Sequence, residues 1–115
     1  MLLLSPALAR ASEEDFLPWK SVQLECFETR QTGKVRVTAK PDSFAIEAFG
    51  RSHVVSKADL AKLKGFPLES LRVTHEAGYA QTGGHTVHAS LRRAGETVTV
   101  SVSKSKGLAV STRSR

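Results

Sequence analysis

The chain has one cysteine, Cys26, so no disulfide can form within it, and its stability must come from packing. Aromatic residues make up only 6% of the sequence, with one tryptophan and one tyrosine among them. No apolar run reaches the ~20 residues that a helix needs to cross a bilayer. Acidic residues are missing from the end of the chain. Between Thr97 and Arg115 there are none, while Lys104, Lys106, Arg113 and Arg115 are all basic. The common enzyme signatures are also missing: no Gly-x-x-x-x-Gly-Lys phosphate loop, no Gly-x-Ser-x-Gly elbow, no paired-cysteine metal motif and no His-Glu-x-x-His helix. Serine and histidine are scattered along the chain, but no spacing between them requires a nucleophile and base.

With 115 residues the chain suffices for one domain with a modest core. Residues 1–11 run from three leucines into small residues at alternating positions, as the back half of a secretory signal does. No Lys or Arg precedes the apolar run, which suggests a start assigned too late or a fragment. The expectation is an exported protein, periplasmic or secreted. Residues 12–18, ending at Pro18, are read as a linker, 19–112 as a single β-rich domain and 113–115 as a basic tail. The formal charge of +6 fits either a solvated surface or contact with a polyanion.

Alternation of period two marks the strands. Val22, Leu24 and Cys26 share one face, which makes Cys26 a buried small hydrophobe; Val35, Val37 and Ala39 follow after Gln31-Thr32-Gly33. A turn at Pro41-Asp42 sets Ala39 opposite Phe44, Val37 opposite Ile46 and Val35 opposite Ala48. A turn at Ala94-Gly95 sets Leu91 opposite Val98, Ala89 opposite Val100 and Val87 opposite Val102. Every such pair is apolar, and a slip of one residue would expose the whole set. Between the two meanders Ser56 and Asp59 open a helix of about two turns, which Gly65 and Pro67 close. The fold expected is mainly β: two antiparallel meanders of about four strands each, forming a sandwich or roll, with one short helix between them.

His75, Glu76, His85 and His88 are the densest polar cluster and invite a metal-site or hydrolase reading. Strand geometry opposes it, because His85 and His88 lie three apart and point to opposite faces. Two registers of this hairpin keep the parity, and in one of them Glu76 lies directly opposite His88 on the outer face. His75 has the parity of Leu71 and Val73 and is expected at the end of the core. Phe27 and Phe49 fall on the parity opposite to their strands' apolar sets, and Phe44, Phe66 and Tyr79 are assigned to packing.

The outer face of the last strands carries Arg72, Ser90, Arg92, Thr97, Thr99 and Ser101, with Arg93, Lys104 and Lys106 expected beside them. It shows no aromatic on which a base could stack, so sequence-specific nucleic-acid reading is not supported. The reading that follows is a small exported binding or accessory domain without enzymatic activity or cofactor. Two alternatives stand beside it: a sequence-blind polyanion binder using Arg72, Arg92, Arg93, Lys104 and Lys106, and a metal-dependent hydrolase using His85, His88 and Glu76.

Overall fold

A computed structural model describes residues 19–77 and 84–114. The signal-like segment, the linker and Tyr79 lie outside the described residues. The first meander runs β1 (Val22–Thr29), β2 (Gly33–Lys40), β3 (Ser43–Ala48) and β4 (Arg51–Val54), and the second runs β5 (Arg72–Ala77), β6 (His85–Arg93), β7 (Glu96–Ser103) and β8 (Gly107–Ser114). Each is a four-stranded antiparallel sheet in sequence order. One hydrophobic core takes side chains from both, among them Val37, Phe44 and Ile46 from the first and Leu91, Val98, Val100 and Val102 from the second. This is the arrangement of a β-sandwich, with β4 lying beside β8.

The short hairpins pair as their turns dictate. Val37 is opposite Ile46 and Ala39 opposite Phe44; Leu91 faces Val98, Ala89 faces Val100 and Val87 faces Val102. All ten of these residues are buried, with relative exposures of at most 2%. Burial of a Val, Leu or Ile side chain contributes about 1.5–3 kcal/mol, so these rows hold the two sheets together.

The segment between the sheets is shorter in its α-helix than the sequence suggests. α1 (Lys57–Leu60) is continued by a 3-10 turn at Ala61–Leu63, and a second 3-10 turn spans Leu68–Ser70. Ser56 caps α1 through its Oγ, which accepts from the Asp59 N–H at 3.2 Å. Leu60 and Leu63 both dock into the core. Trp19 closes the same region: its Nε1–H donates to the Phe66 carbonyl at 3.0 Å, and its ring meets Phe44 edge-on.

Two expectations are corrected in β1. Its pairing shifts between Glu25 and Phe27, so Cys26 is the extra residue of a β-bulge and Phe27 takes the place opposite Val35. Phe27 therefore packs against the core, which strict alternation had denied it; Cys26 is half-buried and packs there too, while Leu24, expected on the same apolar face, is exposed. Phe49 packs there as well, from a two-residue turn in which Phe49 and Gly50 both have positive φ, the I′ geometry that suits a tight hairpin.

Candidate functional site

The outer face of the second sheet is lined by polar side chains. Alternation sends Val87, Ala89 and Leu91 inward, so Ser90 and Arg92 go outward, and pairing arranges their neighbours in rows. Arg92, Thr97 and Arg113 form the first row, Arg72, Ser90, Thr99 and Ser111 the second, and Thr74, His88, Ser101 and Ala109 the third. Two hollows of about 520 Å³ and 550 Å³ lie over these rows. They have Thr74, Ser90, Thr97 and Arg113 in common and so form one trough.

Arginines border one end of it. Arg72, Arg92 and Arg113 come from three different strands and line the first hollow. None of the three has an ion pair among the described residues. The first sheet offers the contrast: on its outer face Arg36 lies between Glu25 at 2.5 Å and Glu47 at 3.5 Å. Its charge is answered within the fold, whereas those of the trough are left to a ligand or to water.

The sequence-derived basic set separates. Arg72 and Arg92 sit together, and Arg113 joins them because β8 continues to Ser114, through residues expected to trail as a tail. Arg93 has the opposite parity, and it reaches the edge of the first hollow only together with its partner Glu96. Its Nε bonds Glu96 at 2.5 Å, its Nη1 donates to the Lys64 carbonyl at 3.3 Å, and its guanidinium lies 4.3 Å from the centre of the Phe66 ring. It ties the inter-sheet segment to β6. Lys104 and Lys106 occupy the β7–β8 turn, about 20 Å from the Arg92 row along β7 at ~3.3 Å per residue. Ser103 holds that turn by accepting the N–H groups of Ser105 and Lys106.

The histidine cluster splits in two. His75 and His85 share the inner parity at the end of the sandwich, with Nε2 of the first 2.9 Å from Nδ1 of the second. His88 is on the outer face. The β5–β6 register is neither of the two expected and is offset by two residues from the nearer, so Thr74, not Glu76, lies directly opposite His88. Parity is unchanged by a two-residue shift, and Glu76 still reaches His88 diagonally: Oε1 is 2.8 Å from Nε2. The other ring nitrogen, Nδ1, is 2.8 Å from the Ser101 hydroxyl. A continuous chain of hydrogen bonds, Glu76 to His88 to Ser101, thus crosses three strands along the trough. Among the described residues no group of three or more His, Cys, Asp or Glu gathers as metal ligands would.

Sequence reasoning did not assign Arg113 or the Glu76–His88–Ser101 chain. The parity of Leu108 and Val110 would have put Arg113 outward. The chain needed the β5–β6 register, which the sequence leaves open. The protein matches no family model, no curated protein and no solved structure.

Proposed function

We propose that the domain is a binding module for a ligand with a compact anionic group, held at the arginine end of the trough. The observation that carries this reading is the convergence of three unpaired guanidiniums, Arg72, Arg92 and Arg113, on one hollow. Guanidinium presents paired N–H donors that match sulfate, phosphate and carboxylate oxygens. The neighbouring hydroxyls of Ser90, Thr97 and Thr99 supply further donors and acceptors for the ligand's neutral part. No aromatic lines either hollow, so a stacked base finds no partner there.

Titration with a sulfated disaccharide and with long heparin tests the proposal. Arg92→Ala and Arg113→Ala should each weaken disaccharide binding roughly tenfold or more, as expected for lost charge-assisted hydrogen bonds. Exchange of both Lys104 and Lys106 for Ala should leave the disaccharide unaffected and weaken only heparin, which alone is long enough to reach that turn. Equal affinity of the wild type and an Arg72, Arg92, Arg113 triple alanine variant would end the proposal.

A further inference from the structure

We infer that Glu76, His88 and Ser101 form a hydrolytic relay of the serine type, able to open an ester bound in the trough. Each link is geometric. The Glu76 carboxylate can only accept, so its contact with His88 Nε2 places the ring proton on Nε2. That leaves the lone pair on Nδ1, which faces the Ser101 hydroxyl at 2.8 Å and can take its proton. A cross-strand serine and histidine on a sheet would often hydrogen-bond for structural reasons alone. Here both ring nitrogens are engaged in the order that activates the hydroxyl, and Ser101 and His88 line a hollow of about 550 Å³ wide enough for a small acyl ester. The functional roles match those of a Ser-His-carboxylate triad, with the two imidazole nitrogens exchanged.

The reaction closes without any co-reactant besides water. Ser101 Oγ adds to the ester carbonyl carbon while its proton passes to His88 Nδ1. Collapse of the tetrahedral adduct breaks the bond to the leaving oxygen, which takes that proton and departs as the alcohol. Water then attacks the acyl-serine and gives a proton to His88. The second adduct expels Ser101 Oγ, which recovers the proton, and a carboxylic acid is released. Ser101 and His88 are the catalytic residues, and Glu76 is a positioning residue. Backbone N–H groups of β6 and β7 are engaged in the sheet ladder, so charge on the carbonyl oxygen falls to side-chain donors of the trough. Loss of a single dedicated oxyanion donor slows such enzymes about 10²–10³-fold, so turnover should be slow and acylation the clearer signal.

The inference stands apart from the anion-binding proposal, and one experiment separates them. The full chain is incubated with p-nitrophenyl acetate, followed by nitrophenol release and peptide mapping for an acetyl group on Ser101. Wild type should show a burst and a Ser101 adduct. Ser101→Ala and His88→Ala, with unchanged circular dichroism and melting temperature, should lower the burst rate at least tenfold. Glu76→Ala should slow it as well, and added formate should restore part of the rate, which a purely structural role would not allow. A second substrate, a p-nitrophenyl ester whose acyl chain ends in a carboxylate, should react faster than the acetate only while Arg92 and Arg113 are present. Absence of that preference in the wild type, or its persistence without Arg92 and Arg113, with the Ser101 adduct intact, would refute the anion site and keep the relay. Acetylation confined to lysines, or a Ser101→Ala variant as fast as wild type, would overturn the relay.

Discussion

Cys26 shows how far one residue can depart from its alternation. The sequence places it with Val22 and Leu24 on an apolar face, but the bulge makes it the inserted residue, and its Sγ contacts the Leu24 carbonyl at 3.6 Å. Bulges leave no reliable mark in a single sequence, because their signal is a loss of parity further along the strand, here Phe27 facing Val35. Burial pushes the Cys26 thiol upward, the neighbouring Glu25 carboxylate adds to that, and a backbone hydrogen bond from Val37 opposes it. A raised value means less thiolate at any given pH. Iodoacetamide should therefore react with Cys26 more slowly than with a cysteine peptide at pH 8, and the rise in rate should come at higher pH. Mass spectrometry across a pH series checks this; a rate profile matching the free peptide would contradict it. Thr32 also escapes sequence reading. It is fully buried, exchanges hydrogen bonds with Thr29, and its carbonyl accepts the Phe49 N–H at 2.7 Å, so one threonine fastens the β1–β2 turn to the β3–β4 turn.

Among the elements, two of the three hairpins with two-residue turns were legible; the third turns at Phe49-Gly50, one residue before the Gly50-Arg51 that the glycine suggested. Lys40 pairs with Ser43 across Pro41-Asp42, and Arg93 pairs with Glu96 across Ala94-Gly95; a turn this short fixes the register, and alternation then fixes the faces. Between Ala77 and His85 the connection is longer, so turn chemistry does not select one register, and the shift of two residues follows. The inter-sheet segment was legible in its cap and its leucines. What was hidden is its tether to β6, which depends on Arg93 reaching Lys64 and Phe66 from a distant part of the chain. Gly65 belongs to the same contact: it has φ +86, and a Cβ there would lie 2.1 Å from Arg93 Nη1. Neighbouring arginines should accordingly behave in opposite ways. Arg93→Ala should lower stability by about 1 kcal/mol through the lost cation–π contact and hydrogen bonds, and should weaken anion binding less than Arg92→Ala does, because the Arg93 guanidinium at the rim of the hollow is already paired with Glu96. Arg92→Ala should do the reverse. Urea melts and the disaccharide titration on the same two variants decide the matter, and equal loss of stability in both would show that the two faces of β6 have been wrongly assigned.

At the scale of the whole molecule, two sheets with different outer faces share one core. The first sheet answers its outer arginine with Glu25 and Glu47, while the second leaves Arg72, Arg92 and Arg113 unpaired around the trough. The core rows were readable because each inward position is apolar on both partners. The trough was only partly readable, because its members lie on four strands and meet only when every register is known. Opposite substitutions at adjacent residues test this division of faces. Val100 is 1% exposed, between Ala89 and Val110, and Val100→Asp puts an unpaired carboxylate among apolar side chains. The cost should exceed about 4 kcal/mol, enough to unfold a domain of ordinary stability. Thr99 lies one residue away and faces the trough, where it hydrogen-bonds Ser90 at 3.2 Å. Thr99→Asp should leave the melting temperature within a few degrees of wild type, since its carboxylate reaches water and lies in the row of Arg72. That same carboxylate competes with an anionic ligand for the guanidiniums. Thr99→Asp should therefore fold normally and lose disaccharide affinity, whereas a variant that folds and still binds like wild type would place the ligand elsewhere.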